Sequence, residues 1–302
     1  MFAASHLIEL TRSENLQDHL NFGPSVEIIP GIETLDDAAR DPAIMASWHE
    51  QYLKHHNGPL AEGAAYSFAF WPLQLFNTSS EEAELRSLLG LHSSQKDTSS
   101  GSQREDFIKR MIMSPDEASA TVFMTRRQRY TSAGNEVDGN YMTIVAMLAH
   151  PFSCGSTHIK TAEPDNHPKI DCNYLSHPLD AEILSRHCLQ IERLLEQPVY
   201  RKIIKPNGQR LPQKYGRPFE SLEETKSAIM QYGATNYHPC GTCAMTDFAV
   251  GGVVDGDLRV YGTSNLRICD ASVFPIIPRG NILTTVYAVA EKAAEILLQD
   301  YR

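Results

Sequence analysis

Asn236-Tyr-His-Pro-Cys-Gly-Thr-Cys-Ala-Met245 is the stretch on which the reading of this chain turns, together with Leu266-Arg-Ile-Cys-Asp-Ala-Ser-Val-Phe-Pro275, Pro278-Arg-Gly-Asn281 and Val286-Tyr-Ala-Val-Ala-Glu-Lys-Ala-Ala294. Pro239 biases His238 towards an extended backbone and Gly241 permits a sharp reversal, so the imidazole stands out from a stiff turn. Such a histidine titrates near neutral pH and suits a general base; taken alone, it reads more readily as a turn histidine satisfied by hydrogen bonds. Asp270 follows the run Leu266–Cys269, read as the end of a strand. A carboxylate there can bind sugar-like hydroxyls, and the small Ala271 and Ser272 leave the backbone open to approach. Gly280-Asn281 stands before a helix expected from about Leu283 to Gln299, whose first N–H groups are unpaired and carry partial positive charge. The Asn281 amide can donate and accept, although asparagine at such a place is also a common helix cap.

Working outward, 302 residues are enough for one large or two ordinary domains, and 42% hydrophobic with 21% charged residues describes a globular chain. No apolar run approaches the roughly 20 residues needed to span a bilayer. A net charge of −10 argues against nucleic acid or an anionic membrane as partner. Met1–Leu10 lacks a basic leader, so the cytoplasm is the default location, with secretion left open should a leader precede this sequence. The six cysteines read as reduced, mostly buried thiols.

Residues 43–54 place apolar side chains at three- and four-residue spacings, and Asn57-Gly58-Pro59 ends that helix. Ser79 with Glu82 forms a capping box for a second helix through Leu89, and the Ser-rich stretch His92–Gln103 reads as a surface loop. Tyr141–Ala149 is a nearly unbroken apolar run, the signature of a strand buried on both faces. Asp180–Gln197 is the most regular amphipathic helix, and Ser221 with Glu224 opens another that stops at Gly233. A hairpin is expected around Asp255-Gly256. Strands interspersed with helices indicate an α+β or α/β chain.

Taken in this order, these segments resemble the carboxy-terminal half of the glucose-methanol-choline (GMC) family of FAD-dependent oxidoreductases, and the ending Gly280–Lys292 is most similar to fungal aryl-alcohol and secondary-metabolite members. Glu14-Asn-Leu-Gln-Asp-His19, Asn57-Gly-Pro-Leu60 and Pro168-Lys-Ile-Asp-Cys-Asn-Tyr-Leu175 extend the resemblance upstream. It implies an α+β fold: a substrate domain with an antiparallel sheet and flanking helices, plus the carboxy-terminal part of a FAD-binding α/β domain whose glycine-rich half is missing. The implied division is 1–20 as a residual FAD-domain segment, 21–231 as substrate domain and 232–302 as the FAD-contacting, catalytic segment. The resemblance makes His238 the base that removes a hydroxyl proton while hydride passes to flavin N5, with Asn281 as second catalytic residue. It sets Asp270, Ala271, Asn281 and Ile282 against FAD.

No Gly-x-Gly-x-x-Gly fingerprint occurs in the sequence, and Gly251–Gly256 has the wrong glycine spacing. Ser13 stands where the family usually has glycine. Two expectations therefore stand side by side: an alcohol-oxidising FAD enzyme, or a non-catalytic remnant or half that works only with a separate amino-terminal FAD-binding chain. Pro239-Cys240-Gly-Thr-Cys243 imitates zinc-deaminase and thioredoxin signatures, but no His-x-Glu accompanies it and Gly251-Gly252 soon breaks any helix, so no metal site is expected.

Overall fold

A computed structural model describes residues 14–300 except Ala64, Tyr66, Pro164 and residues 74–78, 92–99 and 132–135. The amino-terminal leader reading thus lies outside the described residues. In chain order the elements used below are β1 (Leu20–Phe22), β2 (Ser25–Glu27), α1 (Leu35–Arg40), α2 (Pro42–His55), β3 (Ser67–Trp71), α3 (Ser79–Leu91), α4 (Ser100–Met113), β4 (Ala120–Thr125), β5 (Tyr141–Leu148), β6 (Ser156–His158), β7 (Lys169–Asp171), α5 (Pro178–Leu195), α6 (Pro198–Arg201), β8 (Arg210–Leu211), α7 (Leu222–Tyr232), β9 (Ala234–Thr235) and α8 (Leu283–Asp300).

All eight residues of β5 are buried, as its apolar run requires, and it forms the spine of an antiparallel sheet in the order β3-β4-β5-β1-β9. One edge of β5 serves two partners, β1 through Met147 and Ala146 and β2 through Thr143 to Tyr141, and β8 pairs with β2. Gly23 sits at the break between them, where a Cβ would lie 2.0 Å from the Ile144 carbonyl oxygen. Only glycine lets the two backbones approach this closely.

Alternation along the strands separates two faces. Val122, Met142, Ile144 and Ala146 pack with Leu184, Cys188, Ile191 and Leu195 of α5 and Ala228 and Ile229 of α7. Each fully buried leucine or isoleucine there contributes about 2 kcal/mol. The start of α5 is fastened by Asp180, whose carboxylate accepts the N–H groups of Phe152 and Ser153 at 2.7 and 2.8 Å. The opposite face carries Thr121, Phe123, Val145 and Met147, continued on β3 by Phe68 and Phe70, which are 50% and 54% exposed.

A second apolar cluster draws wholly on residues 240–296, among them Cys240, Val254, Val273, Ile277, Ile282 and Ala293. The segment Leu16–Gln17 threads between this part and the chain after β5. Leu16 exchanges backbone hydrogen bonds with Gly155 at 3.0 and 2.8 Å, and Gln17 exchanges two with Cys240 at 2.9 Å each.

The helices read at 43–54, 180–197, 222–232 and 283–299 are present within a few residues, and the Ser221 hydroxyl accepts the Glu224 N–H at 3.2 Å. The reversal at Asp255 is present too, with Asp255 Oδ1 accepting from Asp257 and Arg259, each at 2.9 Å. Three readings are corrected. Residues 100–103 are the first turn of α4, which buries Ile108 and Ile112; residues 92–99 lie outside the described set. Leu266–Cys269 is not a strand but a segment with one isolated bridge, Arg267 to Arg259, because no second partner flanks it. All six cysteines are free, yet only Cys188 and Cys240 are fully buried. In α3, where the capping box was expected, the helix already includes Ser79, and the Glu82 side chain lies outside the described residues. Among the described residues no helix is long and apolar enough to cross a membrane.

Candidate active site

His238 leaves β9 through a turn in which Tyr237 adopts φ +59° and Gly241 φ +89°. A Cβ at Gly241 would lie 2.4 Å from the Asn15 carbonyl oxygen, so the turn is pressed against the incoming Asn15–His19 segment. That segment builds the surroundings of the histidine. Asp18 Oδ1 accepts the His238 backbone N–H at 2.9 Å, and the half-buried imidazole meets the His19 ring edge-on, Nδ1 to Nδ1 at 2.8 Å.

The protons on this ring pair follow from hydrogen-bond accounting. His19 Nε2 lies 3.0 Å from the Ala149 carbonyl oxygen, which can only accept, so Nε2 carries the hydrogen. Burial first, then neighbouring His238, pushes the His19 pKa down to about 3, leaving the ring neutral with a bare Nδ1. His238 Nδ1 must therefore donate to it, which leaves His238 Nε2 unprotonated, the state a general base requires. Burial also lowers the His238 pKa, and the Asp18 charge opposes that shift. Asn236 Nδ2 stands 3.5 Å from both His238 ring nitrogens, its Oδ1 held by Asn21 Nδ2 at 3.0 Å.

The same segment ties down the chain leading to Asn281. Gln17 donates to the Pro275 carbonyl at 3.1 Å and accepts from Ile277 N at 3.1 Å. Buried His150 holds the Ile277 carbonyl at 2.9 Å, and burial brings its pKa down to about 4. Gly280, at φ +81°, packs on Phe70, where a Cβ would come within 3.2 Å of the ring. The turn before α8 thus lies over the open sheet face. Asn281 is exposed just before α8, no hydrogen bond joins it to His238, and Ile282 is buried in the second apolar cluster.

Asp270 caps the short turn Ala271–Val273 by accepting the Ser272 N–H on Oδ1 at 2.8 Å. Asp270 and Ala271 line a mainly apolar groove of about 790 Å³ together with Tyr237, Pro239, Cys240 and Ile170. The structure therefore brings Asp270 and Ala271 to the His238 turn, whereas Asn281 and Ile282 do not line that groove. His19 and Asp18 were read in the sequence only as part of a resembling segment; the chemical signal was an Asp-His pair, with nothing local to say what it faces. Cys240 is held at about 12 by burial, the reverse of a reactive thiol, and among the described residues no group of three His, Cys, Asp or Glu is placed to hold a metal ion.

Residues 151–290 match the family model described as GMC oxidoreductase. The dehydrogenase citC of Monascus ruber is 29% identical over 308 residues, covering 95% of this chain and 47% of that protein. A GMC oxidoreductase family protein of Malassezia sympodialis, Mala s 12, is 37% identical over 178 residues, covering 59% of this chain and 28% of its own. Among solved structures, a FAD-dependent oxidoreductase from Chaetomium thermophilum superposes with TM-score 0.76 at 21% identity over 96% of this chain and 48% of its own. A fungal aryl-alcohol oxidase superposes with TM-score 0.74 at 22% identity, covering 99% of this chain and 51% of the oxidase. Residues 151–290 thus carry the carboxy-terminal domain of the GMC oxidoreductase model, and the chain has the fold of that region of the solved structures. It spans about half the length of the relatives it matches, 47% for the Monascus protein.

Proposed function

We propose that this chain carries the base-bearing part of a FAD-dependent oxidoreductase acting on a CH–OH group. The observation that carries the reading is the His238–His19 pair, which leaves Nε2 of a half-buried histidine free to take a hydroxyl proton. The groove beside the turn fits part of a flavin nucleotide. Asp270 offers its second carboxylate oxygen to a ribityl-type hydroxyl, and Ala271 leaves room for close approach. FAD, when bound, supplies the hydride acceptor. His238 takes the proton at Nε2, and the open sheet face with Phe68 and Phe70 shields an apolar substrate from water. Asn281 and Ile282, at the positive end of α8, complete the flavin contact and orient the alcohol oxygen.

The second expectation, a half that requires an amino-terminal FAD-binding partner, is favoured by α8. Val286, Val289, Ala293 and Ile296 face the second cluster, while Leu283, Tyr287, Leu297 and Leu298 form an adjoining exposed apolar stripe, 40–66% accessible. Such a stripe fits the surface of a further domain. The proposed start of a separate carboxy-terminal segment near 231/232 is supported by a cluster confined to 240–296, although β9 still pairs with β1 in the main sheet and β1 itself runs across 20/21. The six free thiols favour a reducing compartment, the cytoplasm, and the net charge of −10 argues against nucleic acid as partner.

Absorbance of the purified chain, with and without added FAD, tests the reading. A bound flavin that bleaches with a primary or secondary alcohol, and does not bleach in His238→Ala, is the expected result. A folded chain that retains no flavin overturns the stand-alone enzyme and leaves the half or remnant.

A further inference from the structure

Asp18 is buried, 9% exposed, and three neutral donors converge on its carboxylate. Oδ1 accepts the His238 N–H at 2.9 Å; Oδ2 accepts the Thr235 hydroxyl at 2.5 Å and the Tyr174 hydroxyl. Among the described residues no Lys or Arg forms an ion pair with it. A buried carboxylate with no cationic partner is costly, and three hydrogen bonds offset only part of that cost. Burial, with the carboxylate itself second, holds the Tyr174 phenol well above its usual range, so the hydroxyl remains a donor. A protein that needed only to fix this turn would manage with a neutral acceptor such as asparagine.

The groups facing His238 from each packed element decide where charge resides. His19 precedes β1 and is neutral; His150 follows β5, lies against His19 and is neutral; Thr235 and Asn236 of the β9 end are uncharged; Cys240 and Cys154 are held as thiols by burial. Asp18 is the carboxylate among them. We propose that Asp18 is a positioning and charge-balancing residue for His238: it fixes the turn and faces the imidazolium formed when a proton passes from a hydroxyl to Nε2. This role rests on the reading of His238 as base. It also gives chemistry to the Glu14–His19 segment, in which Gln17 holds the Asn281 arm, Asp18 the turn and His19 the ring.

The test is the titration of His238 in the full chain, followed by NMR with labelled histidine and assigned by the resonance lost in His238→Gln. No flavin or alcohol enters it, so its outcome is independent of whether the chain oxidises anything. Asp18→Asn keeps the shape and an acceptor for the His238 N–H, and the His238 midpoint should fall by roughly one pH unit, the lower end of what one close opposite charge does. Tyr174→Phe removes a donor whose positive end faces the carboxylate, and should move the midpoint upward. A midpoint unchanged in a folded Asp18→Asn chain overturns the proposal. Should Asp18→Asn fail to fold, an unchanged midpoint in Tyr174→Phe overturns it equally.

Discussion

At the scale of single residues, the assignment of protons on two adjacent rings carries the most chemistry. In long-range nitrogen–proton spectra at neutral pH, His238 should show a protonated Nδ1 and a bare Nε2, and His19 the reverse; a His238 protonated at Nε2 would overturn the proposal that it is a base. Acid sensitivity is shared by the buried histidines His19, His150 and His187, of which His187 lies outside the site. His187 is fully buried on α5, its Nε2 2.8 Å from the Ser119 hydroxyl, and burial brings its pKa from 6.5 to about 3. Below pH 6.5 the unfolded chain takes up a proton that the folded chain refuses. This contribution is therefore complete above that pH and is lost as the pH falls towards 3. Between pH 7 and 5 the loss is about 2 kcal/mol, so His187→Leu should lose about that much less stability over the same interval, as measured by urea unfolding at both pH values. His238 was legible because proline and glycine mark its turn locally. His19 was not, since what it faces lies 219 residues away and only the closed fold brings the rings together.

At the scale of elements, periodicity read well wherever one element buries a full face. The unbroken run of β5 and the amphipathic pattern of α5 predicted their places in the core, and Ser221 and Gly233 marked both ends of α7. Two-residue strands such as β8 and β9 carry no period to read, and the serines that open α4 looked like a loop because its apolar stripe begins only further along. Gly23 is the hinge point of the sheet. Gly23→Ala should cost about 3 kcal/mol, the upper end for forcing atoms into a packed site, and the loss should appear in both thermal and urea midpoints. Ser221→Ala should cost about 1 kcal/mol and leave the His238 titration unchanged, since α7 ends before the site.

At the scale of the molecule, two apolar clusters and a threaded segment define what holds together. The sequence pattern assigned α8 its helix but said nothing of its exposure, and of its two apolar stripes only one is covered. Tyr287→Lys with Leu298→Lys should lower the fluorescence of an apolar-surface dye bound to the chain and shift stability by no more than about 0.5 kcal/mol, as for other exposed positions. A large loss of stability instead would mean that the stripe is packed. The crossing of Leu16–Gln17 between Gly155 and Cys240 was likewise invisible to any local reading, because each partner contributes only one or two residues.

The hydrogen-bond chain from His238 through His19 ends on the Ala149 carbonyl, an oxygen that takes no proton away. It is a cul-de-sac rather than a wire. A proton gained at the outer nitrogen of His238 cannot drain into the interior and must leave by the opening through which it came. On the proposed reading of His238 as base, the ring is ready for another cycle only after that opening has been vacated, so departure of the product would be the event that resets it.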